Sequence, residues 1–422
     1  MKRIVICMDG TWQNLRQDYP TNVGLIARSV AHKETVLDAA GNPTGEYIYQ
    51  TVIYTHGVGS NIGALTKVTF GSWMMAMLNK IFGGALGEGL EDGILDTYLR
   101  LAFNYEEGDE LYIFGFSRGA FAARRLAGII NTAGILSRRS VHRAWDAFQL
   151  YYDAPGDDAT QEEILEHASR ALAFRQEHGK GGRNPDGTRF TIDAPPKIAY
   201  MGVFDTVMQR GLGEVLDAIM PALGRRYRFK NLRVCPNVMA ARHAMAIDES
   251  RRGFPATPWD GLDEANEKAR RLPGADPNYS YFQQRWFIGR HGDIGGGDGS
   301  PLAAAALKWV ADGAAKQGLR FYAKHGPDVS PMEAEIIRAG PDVYRASIGR
   351  GKFWDILKIH TWPGAARRIW SDRHKRPAPE DLVLYLDESV VRRCNDDEVR
   401  PRYKPAALRP FREAIKKMKE RV

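Results

Sequence analysis

A chain of 422 residues with 44% hydrophobic and 26% charged residues has an ordinary globular composition and enough length to bury a full core, which excludes wholesale disorder. The formal charge of +8 is concentrated in a tail: residues 401–422 carry eight Lys/Arg against two Asp/Glu, so the preceding 400 residues net only +2, and a nucleic-acid-binding face is not expected. Three cysteines (Cys7, Cys235, Cys394) without CxxC spacing argue against a disulfide framework or zinc ribbon and fit a reducing compartment.

In chain order, the opening MKRIVICMDG has too few apolar residues before Asp9 for a signal peptide. In the Met-, Phe- and Trp-rich segment 61–87, the uncharged stretch Val68–Asn79 is twelve residues long, against about 20 for a spanning helix. The expectation is therefore a protein that is cytoplasmic as synthesised. Short apolar runs rich in β-branched and aromatic residues predict strands at Arg3–Met8, Tyr47–Tyr54, Glu110–Phe114, Lys197–Phe204 and Arg285–Gly289. Helical patterns lie between them, which predicts an α/β fold: a mainly parallel sheet of α/β-hydrolase type, flanked by helices. Leu90, Ile94, Tyr98, Leu101 and Tyr105 keep helical spacing, and a small-residue helix runs from Gly119 to Ile130. Helical patterns from Val141 to His178, with Thr160 and Glu163 as a capping box, and a loop-like 179–196 predict a helical insertion at 141–196. The catalytic core is read as 1–320 and the remainder, 321–422, as a helical, basic C-terminal extension packed on it.

The strongest local signal is Gly115-Phe116-Ser117-Arg118-Gly119, which follows an apolar strand and opens a helix. In that context G-x-S-x-G is a nucleophile elbow: Ser117 sits on a sharp turn above the sheet, and the flanking glycines avoid clashes. A serine hydroxyl is a weak nucleophile near neutral pH and needs a histidine oriented by a carboxylate. In this fold class they follow the serine in the order acid, then histidine. Asp205 ends the strand before it, and His291 follows the last predicted strand, so both fall at the sheet edge that carries Ser117. For the oxyanion, the helix start offers the Arg118 amide, and the loop after the first strand offers Gly10 or Thr11.

Alternatives exist for each role. His243 falls in an apparently helical stretch and reads as structural. His56 ends the second strand but precedes the serine. Asp248 and Asp293 are rival carboxylates, Asp293 reading rather as a turn former. A metal-dependent phosphohydrolase built on Asp9, His56, Asp205, His291 and Asp293 is the competing reading, against which no HxxEH-like metal spacing is found. Neither a metal nor an organic cofactor is expected.

Six ordered segments carry a family likeness: 8–14 (MDGTWQN), 54–60 (YTHGVGS), 115–120 (GFSRGA), 202–207 (GVFDTV), 241–249 (ARHAMAIDE) and 287–297 (FIGRHGDIGGG), with a weaker one at 387–393. Together they resemble an α/β-hydrolase domain family of uncharacterised bacterial and fungal proteins that includes the catalytic domain of type VI secretion phospholipase effectors. The resemblance implies a Ser117–Asp205–His291 triad, lipase or phospholipase activity, and export by a specialised secretion system. The expected substrate is a lipid or other ester, with a carboxylesterase acting on soluble esters as the alternative.

Two segments bear on peripheral membrane contact. Ile62–Leu86 reads either as a mobile lid or acyl-chain lining, or as buried core. In the tail, Phe411, Ile415, Met418 and Val422 share one helical face opposite Arg412, Lys416, Lys417 and Lys419, which suits either an anionic membrane surface or docking on the chain's own domain.

Overall fold

The computed structural model describes residues 1–10, 13, 15, 17–57, 85–156, 159–183, 189–190, 193–207, 232–251, 254–322, 329–348, 367, 369, 377–378 and 381–418. Its strands are β1 (Lys2–Met8), β2 (Lys33–Leu37), β3 (Pro43–Thr55), β4 (Glu110–Phe116), β5 (Gly182–Arg183), β6 (Arg189–Phe190), β7 (Ile198–Phe204), β8 (Ala241–Ala246) and β9 (Phe282–Phe287). The helices used below are α1 (Asn22–Ser29), α2 (Ala85–Asn104), α3 (Arg118–Ala133), α4 (Ala144–Tyr152), α5 (Gln161–His178), α6 (Leu262–Arg270), α7 (His291–Gly295), α8 (Ala303–Lys316), α9 (Pro331–Ala339), α10 (Leu382–Tyr385), α11 (Glu388–Asn395) and α12 (Arg412–Lys417).

Seven strands form one sheet in the order β2-β3-β1-β4-β7-β8-β9, and β5-β6 make a separate small hairpin. Every pairing in the large sheet is parallel except β2 with β3 at one edge. This is the expected α/β fold. The inner strands β1 and β4 are covered on both faces, so they read as continuous apolar runs rather than alternating ones. Against one face pack α2, α3, α4 and α6, with Ile4, Ile6 and Ile113 meeting Ile94, Tyr98 and Leu126. Against the other pack α1, α8 and α9, with Val5, Phe114 and Tyr200 meeting Ile26, Leu307 and Val310.

Two elements differ from the sequence reading. The stretch around His243 is not helical: Ala241–Ala246 is β8, a parallel strand between β7 and β9. Its alanines and methionine favour helix locally, and burial on both sheet faces overrides that preference. The last predicted strand begins earlier, at Phe282, and ends at Phe287.

The helices α4 and α5 lie against α3, and the expected capping box opens α5: Thr160 accepts from the Glu163 amide while Glu163 accepts the Thr160 amide at 2.8 Å. At the β9 edge a third apolar cluster joins Met245, Trp286 and Ile288 to Val390, Val391, Leu408, Phe411, Ile415 and Met418. The described part of that tail face, Phe411, Ile415 and Met418, is therefore buried against the chain itself; Val422 lies outside the described residues. The 62–84 part of the proposed lid lies outside the described residues. Among the described residues, no helix is long and apolar enough to cross a membrane.

Candidate active site

Parallel register brings the C-terminal ends of β1, β4, β7, β8 and β9 to one edge: Met8 pairs with Gly115, Phe116 with Phe204, Phe204 with Ala244, and Ala246 with Phe287. Ligands of open α/β sheets bind along that edge.

Ser117 makes the turn from β4 into α3 with φ 57° and ψ −122°, a left-handed conformation that costs a residue with a Cβ. The turn is tight enough to need its glycines. A Cβ on Gly115 would come within 2.5 Å of the Gly119 carbonyl oxygen, and one on Gly119 within 2.1 Å of the Met8 carbonyl oxygen. The Ser117 amide donates to the Phe204 carbonyl at 3.0 Å, tying the elbow to the end of β7.

Asp205, the next residue along that strand, is fully buried and also has a positive φ, of 40°. Among the described residues, these two are the non-glycine positions with positive φ. One carboxylate oxygen of Asp205 accepts the Ala246 amide at 3.0 Å, and the other meets His291 Nδ1 at 2.6 Å. The Arg367 guanidinium adds two further bonds, 2.5 Å to Oδ1 and 3.0 Å to Oδ2. Burial alone would push this carboxyl up. The charge of Arg367 and the hydrogen bond from His291 outweigh it and hold the group well below the usual carboxylate range, so it is ionised. The turn after Asp205 is held by His243, whose Nε2 accepts the Thr206 amide at 3.1 Å. That ring is fully buried; desolvation and the charge of Arg124 push it down to about 3, so it is neutral and serves as an acceptor.

His291 is the first residue of α7. Its Nε2 lies 2.7 Å from Ser117 Oγ. Because an ionised carboxylate only accepts, Nδ1 carries the proton toward Asp205, which leaves Nε2 to accept from the serine hydroxyl. The imidazole lies between Phe116, at 4.8 Å between ring centres, and Phe254, at 5.1 Å. Its backbone amide donates to Glu249 at 3.2 Å, and Glu249 is paired with Arg251 at 2.8 Å. Ser117 and His291 are each 7% exposed, so the relay lies in surroundings where electrostatic contacts are strong.

The predicted oxyanion donors fare differently. Arg118 opens α3 directly after Ser117, and the first amides of a helix have no acceptor within it. Gly10 does pack on the elbow, where a Cβ would fall 2.9 Å from the Phe116 ring and 3.5 Å from Ser117 Cβ. Its amide, however, donates to Asp9 Oδ1 at 2.7 Å, which removes it as an oxyanion donor in this arrangement. The reason is local: Asp9 is a buried acceptor that also takes Thr21 Oγ1 at 2.8 Å and Tyr54 Oη at 2.5 Å. Thr11 lies outside the described residues.

The rival residues stand elsewhere. His56 is exposed and packs edge-on to Tyr54. Asp248 accepts the Gly289 amide and the Tyr403 hydroxyl, each at 2.8 Å. Asp293 caps α7 through the Arg290 amide at 2.8 Å and holds Ser300 at 2.5 Å. Among the described residues, no group of three or more His, Cys, Asp and Glu is arranged to hold a metal ion. The sequence reading missed Arg367, which lies 76 positions beyond His291 in a stretch with no motif to mark it.

An uncharacterized protein of Saccharomyces cerevisiae is 29% identical over 257 residues, 60% of this chain, and the match spans 32% of that protein's length. An uncharacterized protein from Pseudomonas aeruginosa, in a crystal structure, is 16% identical with a TM-score of 0.36, covering 79% of this chain and 48% of that one. A Tle1 effector, solved bound to the VgrG spike of the type 6 secretion system, is 17% identical with a TM-score of 0.33, covering 70% of this chain and 52% of that one. Residues 2–313 match the model of the family described as T6SS phospholipase effector Tle1-like, catalytic domain, and the chain belongs to that family.

Proposed function

We propose that this protein is a serine ester hydrolase that cleaves the carboxylic esters of phospholipids through an acyl-enzyme. The observation that carries the reading is the hydrogen-bonded line from Ser117 Oγ to His291 Nε2, 2.7 Å, and from His291 Nδ1 to the ionised Asp205, 2.6 Å. His291 takes the Ser117 proton as the hydroxyl oxygen attacks the ester carbonyl, and Asp205 stabilises the imidazolium that results. The tetrahedral oxyanion is held by the Arg118 amide, with Thr11 as second donor. Collapse expels the alcohol, which receives the proton from His291. Water, deprotonated by the same imidazole, then attacks the acyl-serine; the acid leaves and the serine is restored.

In this reading residues 1–320 form the catalytic core, with 141–196 inserted over it, and 321–422 are an extension packed on the core. Family membership supports a lipid substrate and export by a specialised secretion system, of a protein synthesised in the cytoplasm as its sequence leads one to expect. A phospholipid substrate calls for peripheral contact with a bilayer, and no nucleic-acid partner is called for. The test is release of fatty acid from phosphatidylethanolamine and phosphatidylglycerol vesicles, compared with hydrolysis of p-nitrophenyl butyrate, for the wild type and Ser117→Ala. The proposal expects vesicle hydrolysis that disappears with the serine. Hydrolysis confined to the soluble ester favours a carboxylesterase. Hydrolysis of p-nitrophenyl phosphate that survives Ser117→Ala and is lost on chelation favours the metal-dependent phosphohydrolase.

A further inference from the structure

The triad acid has a partner from outside the part of the chain that matches the family. Arg367 lies beyond residues 2–313, yet its side chain is 5% exposed and reaches Asp205, which has none of its surface exposed. The contact is a two-pronged fork: Nη1 to Oδ1 at 2.5 Å and Nη2 to Oδ2 at 3.0 Å. Each prong is anchored again on backbone, Nη1 on the Ala246 carbonyl at 2.9 Å and Nη2 on the Phe254 carbonyl at 2.6 Å. Ala246 ends β8, and Phe254 is one of the two residues whose rings pack on His291. One guanidinium therefore ties together the carboxylate, the strand beside it and the segment that covers the base.

We propose that Arg367 is a positioning residue of the triad, a guanidinium supplied by the C-terminal extension that clamps the Asp205 carboxylate in the orientation His291 requires. This rests on the triad reading above. A carboxylate hydrogen-bonded to one imidazole and one amide can rotate about its Cβ–Cγ bond; a bidentate fork fixes its plane. The same contact tempers the field at the base. Among the described residues, the charged and titratable groups around the pair include Arg367 itself, the neutral His243 with the charge of Arg124 acting on it, and Glu249 paired with Arg251. Without the guanidinium, Asp205 is an uncompensated buried anion facing His291, and the imidazolium becomes easier to form. The consequence is extension-dependent catalysis: the core residues 2–313 contain all three reacting groups but not the group that holds one of them.

The experiment measures kcat, KM and the pH dependence of kcat/KM on p-nitrophenyl butyrate for the full-length wild type, Arg367→Lys and Arg367→Met, with melting temperature and fluorophosphonate labelling of each. Arg367→Lys keeps the charge but loses the fork. It is expected to stay folded and lose about 10²-fold in kcat with KM within about twofold, the size of effect misplacement by an ångström produces. Its acid limb is expected to stay near the wild-type position. Arg367→Met is expected to move the acid limb of kcat/KM to higher pH, because removing the positive charge beside Asp205 strengthens the carboxylate's field at the base. If Arg367→Met fails to fold, the lysine variant alone decides. A wild-type kcat and pH profile in Arg367→Lys overturns the inference, as does a loss of kcat in Arg367→Met with no movement of the acid limb. Failure of the wild type itself to be labelled at Ser117 defeats the triad reading instead, so the two outcomes are distinct.

Discussion

The Ser117 amide donates its hydrogen bond to the carbonyl of Phe204, 3.0 Å away, so the nucleophile's turn is braced on the residue that immediately precedes Asp205. Both turns lie at the ends of adjacent parallel strands, and both hold positive φ, 57° at the serine and 40° at the aspartate. Strain of this kind persists only where neighbouring structure over-determines it. Here the sheet register supplies that support.

The strain at Ser117 has a measurable consequence for stability. Ser117→Ala removes the nucleophile and keeps the Cβ, whereas Ser117→Gly removes both. Glycine adopts φ 57° freely, so Ser117→Gly is expected to be more stable than Ser117→Ala by about 1 kcal/mol in urea unfolding, even after the entropy it adds to the unfolded chain. Equal stability, or a less stable glycine variant, contradicts a strained elbow. Both variants are expected to lose about 10⁴-fold or more in kcat.

Gly295 and Phe116 make a second prediction. A Cβ at Gly295 would lie 2.0 Å from the Phe116 ring, and that ring packs 4.8 Å from the centre of His291. Gly295→Ala is expected to destabilise the fold by about 2 kcal/mol and to reduce kcat by displacing the ring against the base. Adding Phe116→Leu makes room for the methyl group, so the double variant is expected to recover part of the loss. Additive losses in thermal melts and kinetics contradict the steric account.

Asp248 gives a pH-dependent prediction. Burial raises its carboxyl from the ordinary 3.8 to about 6, despite hydrogen bonds from Gly289 and Tyr403. Between those values the folded chain keeps a proton that the unfolded chain has lost, so this group's contribution to stability falls as pH rises through that window and stays lower above it. Asp248→Asn keeps an acceptor for both donors and does not titrate. Its stability relative to wild type is therefore expected to rise from pH 4 to pH 6 and then level off, read from urea midpoints at unit steps. A difference that is flat or falls with pH contradicts the assignment. Because Asp248 does not touch the imidazole of His291, kcat is expected to stay within a few-fold of wild type.

Much of the architecture is visible in the chain because the buried parallel strands β1, β4 and β7 are long apolar runs that stop at Gly, Asp or Ser. The elbow is visible for the same reason: the glycines at 115 and 119 answer to carbonyls and helix backbone that leave no space for a Cβ. What was hidden has specific causes. Ala241–Ala246 has a helix former's composition, and only its place between β7 and β9 makes it a strand. Lys33–Leu37 is an edge strand with alternating half-exposed residues and no apolar run. The Gly10 amide looked available because nothing in the sequence says that the Asp9 side chain folds back onto the next peptide. Arg367 is one of many arginines in a basic region, and its role depends on a contact across 162 positions.

The account's central claim is that His291 activates Ser117 with help from Asp205, and reaction with a fluorophosphonate, with the adduct mapped by mass spectrometry, tests it most directly. The expected result is one adduct, on Ser117, formed rapidly by the wild type, abolished in Ser117→Ala and slowed strongly in His291→Ala and Asp205→Ala. A wild type that hydrolyses its substrate while Ser117 stays unlabelled, or that is labelled as fast without His291 as with it, contradicts the claim.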